Sequence, residues 1–306
     1  MYIRAEDVRA ALSYGALIPA IRQALIDYTA GNVEQPPRTI LRSGNEKDAG
    51  WFAVMPVIAG EYIAVKTVTF YPSNVRLGLH THMAVVELLR RSTGEPLALM
   101  DGTIITEMRT AAVSAVAFAA LAPPEARSLG ILGSGVQARS HIAALHTVWP
   151  ALQEIRIWSR TAANAQRLAS KCGGRAVAID EAAGADVVLT ATNSPVPVLE
   201  GNLLGPDALV LAVGATGAML RELDDEAMLS SAVIAESRAA VEREAGDVRL
   251  SGTTIEAEIG EILDGTINAP KGRRIVFKSV GMAIEDLTAA RLVWEAREAC
   301  PGDPLL

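Results

Sequence analysis

The segment Ser128–Ala138, SLGILGSGVQA, limits the fold of this chain more than any other stretch. A short apolar run, Leu129–Leu132, leads directly into a glycine turn, and a helical pattern follows. This strand–turn–helix context is typical of a dinucleotide site, in which the glycines permit a tight turn and close approach of a pyrophosphate. The free N–H groups at the helix N-terminus favour the phosphates. A plain glycine turn is the alternative. We predict dinucleotide contacts at Gly133, Ser134, Gly135, Val136, Gln137 and Ala138.

The next strand-like run indicates which dinucleotide binds. It spans Glu154–Trp158 and ends in Ser159-Arg160-Thr161. In NAD sites a carboxylate usually stands here for the ribose 2′-OH, whereas an Arg accommodates a 2′-phosphate. The three residues therefore favour NADP(H), with NAD(H) as the alternative cofactor. A solvated loop arginine is the other interpretation of Arg160.

The length, charge and cysteine content indicate which classes of protein fit this chain. The 306 residues are sufficient for two domains, and half of them are hydrophobic. Lys and Arg number 28 against 35 Asp and Glu, and no basic run suggests a nucleic-acid partner. Cys172 and Cys300 fit incidental thiols in a reducing compartment. The charged N-terminal segment differs from a signal peptide, and no uninterrupted apolar run reaches membrane-spanning length. We expect a cytoplasmic protein without membrane contact.

The first third of the chain predicts an antiparallel α+β region. A helix is indicated over residues 6–30, ended by Gly31, and a second over residues 106–121. Between them, turn signals such as Gly44-Asn45 separate short strand-like runs, which implies a largely antiparallel sheet. These runs are Arg38–Leu41, Trp51–Pro56, Tyr62–Phe70, Met83–Leu89 and Leu97–Met100.

From residue 126 onward, strands and helices alternate, which predicts a parallel, doubly wound sheet. A last helix, residues 286–299, is expected to pack back on the first region. The fold class is therefore α/β, with a dinucleotide-binding domain interrupting or following an α+β domain. The strand candidates are 128–132, 154–158, 175–178, 186–191, 208–213, 232–235 and 274–277.

Three cations outside the glycine turn are candidates for binding an anion. Lys66 shares an apolar strand face with Ala64 and Val68, where a charge must pair with an anion or, on an edge strand, reach water. Arg109 is placed in the first turn of the second helix, where the macrodipole disfavours a cation unless an anion binds beside it. Its alternative is an exposed arginine paired with Glu107 or Glu125. Arg38, after two prolines, is uninformative alone.

His80 and His82 alternate with Thr81 at a strand start, but no third metal ligand is nearby. Pocket lining or surface is therefore preferred, and no metal is predicted. The three cations together with a nicotinamide cofactor fit hydride transfer to a small carboxylate-bearing acceptor.

Four ordered motifs give the chain a resemblance to a known family. DGTIITEMRTAAVSAVA, GILGSGVQARSHIAAL, AVGATGAMLRELDDE and FKSVGMAIEDLTAA together resemble the ornithine cyclodeaminase/μ-crystallin family. The resemblance implies a homodimer. It also implies a substrate-binding and dimerisation domain, residues 1–122 and 284–306, interrupted by a Rossmann domain, residues 123–283.

The resemblance also implies roles for individual residues. Arg38, Lys66 and Arg109 would hold the substrate carboxylate, and Thr81 falls where a substrate-side threonine lies. Thr190, Ala191 and Thr192, with Asn193, match the segment bordering the cofactor, and Ser279, Val280 and Gly281 match a cofactor-facing turn. The prediction adds Val213 to the cofactor contacts, and His80, Met55 and Thr216 to the substrate contacts.

Two departures from the cyclodeaminase pattern bear on the reaction. Thr216 and Ala53 stand where cyclodeaminases carry an Asp and a Glu, and ornithine cyclisation needs groups that move protons. Reduction of a formed cyclic imine needs mainly binding and alignment. We therefore expect NAD(P)H-dependent reduction of a cyclic ketimine carboxylate, Δ1-pyrroline-2-carboxylate to proline or the six-membered homologue to pipecolate.

In that reaction Arg38 and Arg109 clamp the carboxylate, Lys66 adds positive charge, and Thr81 or a water near Thr216 handles the amine proton. Three alternatives stay open: a cyclodeaminase or alanine-type dehydrogenase, an opine-like reductase, and a non-catalytic NADP-dependent ligand-binding protein of μ-crystallin type.

Overall fold

The computed structural model describes residues 1–44 and 49–299, so Asn45 and Cys300 lie outside the described residues. The chain forms two compact units. The first combines residues 1–109 with the segment from Met282 onward, and the second is the continuous stretch 110–281. The second unit is thus an insertion in the sequence of the first.

The first unit contains a six-stranded sheet in the order β1-β6-β5-β4-β3-β2. Neighbours from β2 to β6 are antiparallel, as expected, and only β1 pairs in parallel, with β6. The two-residue β1 carries too little pattern to be predicted. The strands are β1 (Tyr2–Ile3), β2 (Thr39–Ser43), β3 (Gly50–Ala59), β4 (Tyr62–Phe70), β5 (His82–Arg90) and β6 (Pro96–Asp101).

Helices cover one face of this sheet. The predicted helix over residues 6–30 is two helices, α1 (Ala5–Ala11) and α2 (Tyr14–Thr29). The chain is extended at Leu12 and Ser13, and the Ser13 hydroxyl accepts from the Ala16 N–H, which caps α2. The last helix of the chain, Ala283–Ala299, packs on α2 and across β3, β4 and β5. Along β3, β4 and β5, every second side chain in the middle of the strand is buried beneath this last helix.

The helix after β6, α3 (Gly102–Leu121), begins four residues earlier than predicted. Asp101 Oδ1 accepts from the N–H groups of Thr103 and Ile104 at 2.9 and 3.0 Å, which satisfies the first turn. Arg109 therefore lies two turns inside α3, and its predicted place in the first turn is wrong.

The boundary between the units falls within α3, where the sequence analysis placed it after the helix. Residues from Thr110 onward contact the second unit: Ser114 hydrogen-bonds to His141, and the Phe118 ring packs against Trp149. Among the described residues, α3 alone is long and apolar enough to cross a membrane. Most of this helix is buried inside the protein.

The second unit is a parallel, doubly wound sheet of eight strands, which confirms the predicted fold class. The strands are β7 (Ser128–Leu132), β8 (Glu154–Trp158), β9 (Arg175–Ala176), β10 (Val187–Thr190), β11 (Leu209–Ala212), β12 (Ala232–Ala235), β13 (Ile255–Glu258) and β14 (Ile275–Lys278). Their order in the sheet is β13-β12-β14-β11-β10-β7-β8-β9. Strands β8 and β9 are added on one side of β7 and β10 on the other, so the strand order reverses between β7 and β10.

Short helices connect these strands: α4 (Val136–Val148), α5 (Ala162–Cys172), α6 (Ile179–Ala183), α7 (Asp225–Leu229), α8 (Arg238–Glu244), α9 (Gly246–Ser251) and α10 (Ile259–Leu263). The helix over Ala283–Ala299 is then α11. Strand β13 was not predicted, because it is a short edge strand in which only Ile255 and Ala257 are buried.

Candidate active site

Lys66 lies on the covered face of the first unit's sheet. It is in β4, between β3 and β5, and is 2% exposed, so the alternative of an edge-strand lysine that reaches water is wrong. Its Nζ is 2.7 Å from Asp286 Oδ2. Burial, followed by the charges of Arg109 and Arg38, lowers the pKa of Lys66 to about 8 although Asp286 opposes the shift.

Arg109 reaches the same carboxylates from α3. Its Nη1 donates to Glu285 Oε2 at 2.7 Å and its Nε donates to Asp286 Oδ1 at 3.2 Å. The residue is 6% exposed, so the alternative of an exposed arginine is wrong. Two cations and two carboxylates thus form a buried cluster of four charges within one unit.

Arg38 and Met55 extend this cluster across the sheet. Met55 pairs with Lys66, and Thr39 pairs with Val54, so the same register places Arg38 beside Met55. Arg38 acts electrostatically on Lys66. Arg38, Lys66 and Arg109 thus place three cations in this part of the first unit.

Sequence reasoning missed Glu285 and Asp286. Both lie in the first turn of α11, where carboxylates are favoured by the helix dipole, and they are 0% and 1% exposed. The available signal was two adjacent acids in an otherwise apolar segment, AIEDLTAA, which require cationic partners if the segment is buried. The segment was used as part of a family motif and as the start of a helix, and no partner was predicted for its two acids.

The structure does not place His80 and Thr81 next to Lys66. Both lie in the loop before β5, where Asn74 Nδ2 donates to the His80 carbonyl and the Tyr71 N–H donates to the Thr81 carbonyl. Tyr71 is five positions beyond Lys66 along the chain, a distance of about 16 Å in an extended strand. The roles of His80 and Thr81 stay predictions. Within residues 1–44 and 49–299, no three His, Cys, Asp or Glu side chains could hold a metal ion.

In the second unit, the glycine turn is shaped by close contact with the end of β10. Gly133 has φ +131°, and a Cβ there would lie 2.5 Å from the Ala191 carbonyl oxygen. The turn therefore lies against the segment after β10. This is the point where the strand order reverses, and ligands of doubly wound sheets bind outside the carboxyl ends of the strands at such a point.

The start of α4 is open for phosphate. Its N-cap, Gly135, has no side-chain cap, and a Cβ at this position would meet nothing within 4 Å. Val136 is exposed, whereas Ala138 is fully buried. Gln137 contributes its carbonyl to the buried His141 Nδ1 at 2.8 Å. Uncapped N–H groups in open space fit a pyrophosphate.

The region after β8 fits the adenosine half of a dinucleotide. The Ser134 hydroxyl donates to the Ser159 hydroxyl at 2.9 Å, joining the two turns. A cavity of about 220 Å³ is lined by residues including Trp158, Ser159 and Gln166. Arg160 and Thr161 are exposed beside it, and Arg160 makes no ion pair within the described chain.

The remaining predicted cofactor residues lie after β10, β11 and β14. Ala191 and Thr192 are half-buried, whereas the buried Thr190 donates its hydroxyl to Glu222. Val213 is buried directly after β11, with its N–H donating to the Thr190 carbonyl. Thr216, predicted to contact substrate, is exposed in the following turn of the second unit.

The turn over residues 279–281 uses its hydrogen-bond donors within the protein. The Ser279 hydroxyl and the N–H groups of Val280 and Gly281 all donate to the buried Glu236, at 2.7, 3.1 and 2.6 Å. Ser279 is 2% exposed. These hydrogen bonds hold the turn in place. Because the donors are already used, a cofactor could contact this turn only through carbonyl or apolar atoms.

Comparisons with known proteins agree with this arrangement. The chain is 42% identical to the ketimine reductase mu-crystallin of Mus musculus over 305 residues, 96% of each protein. Its fold matches the Δ1-pyrroline-2-carboxylate reductase of Thermococcus litoralis, solved with NADH and L-proline, at a TM-score of 0.92 and 33% identity, covering 98% of both chains.

An archaeal alanine dehydrogenase dimer with bound NAD gives a TM-score of 0.92 at 27% identity, covering 98% of this chain and 96% of the other. The sequence profile of the ornithine cyclodeaminase/mu-crystallin family matches residues 1–300. The resemblance seen in the four motifs is therefore confirmed, and the chain belongs to the ornithine cyclodeaminase/mu-crystallin family.

Proposed function

We propose that this protein reduces a cyclic ketimine carboxylate, Δ1-pyrroline-2-carboxylate or its six-membered homologue, with a reduced nicotinamide dinucleotide. The observation that carries the proposal is the buried charge cluster, in which Lys66 and Arg109 meet Asp286 and Glu285 and Arg38 acts electrostatically on Lys66. The ketimine reductase and pyrroline-2-carboxylate reductase relatives support the same substrate class.

The residues of this chain bind and orient the substrate. Arg38, Lys66 and Arg109 attract its carboxylate, and the burial of Lys66 and Arg109 strengthens the attraction because little water screens it. The nicotinamide, when bound, supplies the hydride. The hydride would go to the imine carbon next to the carboxylate, and the electron pair of the C=N bond to nitrogen. Because the imine enters protonated, the product is a neutral secondary amine nitrogen, and positioning provides most of the catalysis.

The positions that depart from the cyclodeaminase pattern lack the groups expected for cyclodeamination. Ala53 is fully buried in β3, two positions before Met55 on the same face, and offers only a methyl group. Thr216 offers a hydroxyl in place of a carboxylate. The two carboxylates of the cluster, Glu285 and Asp286, are already paired with cations. These features support reduction over a reaction that includes ammonia loss and ring closure.

We propose NADPH as the preferred cofactor. The strand β8 is followed by Ser159, Arg160 and Thr161, with no carboxylate for a ribose 2′-OH. Arg160 is exposed and directly follows Ser159, which lines the cavity after β8, and a guanidinium can pair with a 2′-phosphate.

We also propose a homodimer formed by the first unit. On the sheet face opposite α11, half-exposed apolar side chains continue across strands, among them Val54, Ile63, Val65 and Val85. Contiguous apolar surface of this kind marks an interaction site. The archaeal alanine dehydrogenase of the same fold is a dimer, which supports this assembly.

An amino-acid dehydrogenase is the second candidate, because an alanine dehydrogenase shares the fold over nearly the whole chain. The test is oxidation of NADPH and of NADH, followed by the absorbance of the reduced nicotinamide. The substrates are Δ1-pyrroline-2-carboxylate, its six-membered homologue, and pyruvate with ammonia. L-Ornithine with NAD is assayed for ammonia release. Fast NADPH oxidation by a cyclic imine alone is the expected result, and activity only with pyruvate or ornithine would overturn the proposal.

A further inference from the structure

Glu222 is a fully buried carboxylate that the proposed function does not use. It follows the turn after β11 and is 0% exposed. Its Oε2 accepts from the Thr190 hydroxyl at 2.9 Å and from the N–H groups of Gly214 and Ala215 at 2.8 and 3.2 Å. Its Oε1 accepts from the Thr192 N–H at 2.6 Å. One side chain therefore joins the segment after β10 to the segment after β11.

The two segments touch at Gly214. A Cβ there would lie 2.3 Å from the Thr192 carbonyl oxygen and 2.5 Å from Glu222 Oε1. The contact leaves no room for a side chain, so the backbone of both segments is fixed around the carboxylate. Ala191, in the first segment, is also the residue that lies against the glycine turn at Gly133.

A second layer of buried charges holds Glu222 in place. Asp247 Oδ1 accepts from the N–H groups of Glu222 and Leu223 at 2.7 and 3.0 Å. Lys278 Nζ is 2.8 Å from Asp247 Oδ2 and donates to the Ala215 carbonyl at 3.0 Å. Burial raises the pKa of Glu222, although Lys278 opposes the shift. Glu222, Asp247 and Lys278 are each 0% exposed, which makes the arrangement costly to disturb.

We propose that Glu222 is a positioning residue for hydride transfer. It fixes the segments after β10 and β11 at the carboxyl edge of the sheet, next to the reversal of strand order where a dinucleotide binds. The inference rests on the proposed function, because these segments would border the nicotinamide. Its carboxylate does not touch the reacting atoms. It acts through the backbone of Thr192, Gly214 and Ala215, on which the position of a bound nicotinamide would depend.

The test uses Glu222→Gln in the full-length chain. The amide keeps the shape but turns an N–H donor toward backbone N–H donors, so one segment must move. We expect the single-turnover rate constant for NADPH oxidation, at saturating NADPH and cyclic imine, to fall about 10- to 100-fold. The Kd for NADPH should change less than about threefold. A deuterium isotope effect on this rate constant, measured with NADPH labelled at the transferred position, identifies the slowed step as hydride transfer.

Asp186→Asn is the matched control. Asp186 also bridges two strands, accepting from the N–H groups of Arg127 and Ser128, but at the opposite, amino edge of the sheet. A purely structural loss lowers the amplitude of the single turnover, which counts active molecules, and leaves its rate constant unchanged. We expect that pattern for Asp186→Asn. An unchanged rate constant in Glu222→Gln, or an equal fall in Asp186→Asn, would overturn the proposal.

Two further measurements keep the proposal testable. If Glu222→Gln does not fold, Thr190→Val removes one donor to the carboxylate, and the rate constant should fall in the same direction by a smaller factor. If the wild-type protein oxidises no NADPH with cyclic imines, the proposed function fails on that result alone. The emission of bound NADPH then tests Glu222: a changed emission at similar Kd supports positioning, and identical emission overturns it.

Discussion

Replacing Lys66 with Met separates the binding of substrate from the neutralisation of Asp286. Met keeps the length of the side chain and removes an ammonium 2.7 Å from Asp286 Oδ2. At this distance and an effective dielectric constant of about 20, the attraction is roughly 6 kcal/mol before desolvation. Breaking one partner from a buried pair lowers the free energy of unfolding by about 3–5 kcal/mol. Because Arg109 and Arg38 repel the ammonium, we expect a loss of about 3 kcal/mol.

The effect on activity follows from the charge of the cluster. Lys66→Met removes one of the three cations that are proposed to attract the substrate carboxylate. A hydrogen bond to a charged group contributes about 1.5–3 kcal/mol, so kcat/KM for the cyclic imine should fall about 10- to 150-fold. The Kd for NADPH should change less than twofold, since the dinucleotide turn lies in the other unit. Denaturant unfolding, steady-state kinetics and NADPH titration measure the three quantities.

The double variant Lys66→Met/Asp286→Asn distinguishes the two roles of Lys66. Removing the carboxylate charge as well should restore more than half of the lost stability, because no uncompensated charge is buried. The fall in kcat/KM should persist at tenfold or more, because no ammonium faces the substrate. Full recovery of kcat/KM in the double variant would mean that Lys66 only neutralises Asp286, and the reasoning would be refuted.

Three other predictions test the remaining assignments. Because the pKa of Lys66 is about 8, its positive charge is present below pH 8, and kcat/KM should fall as pH rises through 8; Lys66→Arg should show no such fall. Arg160→Ala should raise the KM for NADPH about 5- to 10-fold and leave that for NADH unchanged; equal changes would contradict the 2′-phosphate contact. Val65→Asp should convert the proposed dimer to a monomer by light scattering, whereas a surface change such as Glu226→Lys should not; a dimeric Val65→Asp protein would refute the interface.

Features encoded by neighbouring residues were predictable. The apolar run of β7, the glycine turn and the start of α4 are continuous in sequence, so this strand–turn–helix unit could be predicted residue by residue. The face of β4 that carries Lys66 followed from strand alternation alone. The parallel sheet followed from the alternation of strands and helices. In each case the physical cause acts over a few residues.

Features that join distant segments were not predictable. Nothing local to Lys66 or Arg109 reveals that Glu285 and Asp286, about 180–220 residues later, neutralise them. Asp101-Gly102 is typical of a turn, so the helix was predicted to begin after it, near residue 106, with Arg109 in its first turn. In the structure Asp101 caps the helix instead. The carboxylate of Glu222 is similar, since its four donors come from two other segments brought together only by the sheet.

The way α11 completes the charge cluster has a consequence for the order in which the two units fold. The second unit is continuous from residue 110 to 281 and can complete its internal contacts without residues 283–299. The first unit cannot, because Lys66 and Arg109 meet their carboxylates only when those residues pack on its sheet. Until then its sheet carries two unneutralised cations on the face that becomes its core. A chain shortened before α11 should therefore retain a folded second unit joined to an incompletely folded first unit, a form that chaperones and proteases would recognise.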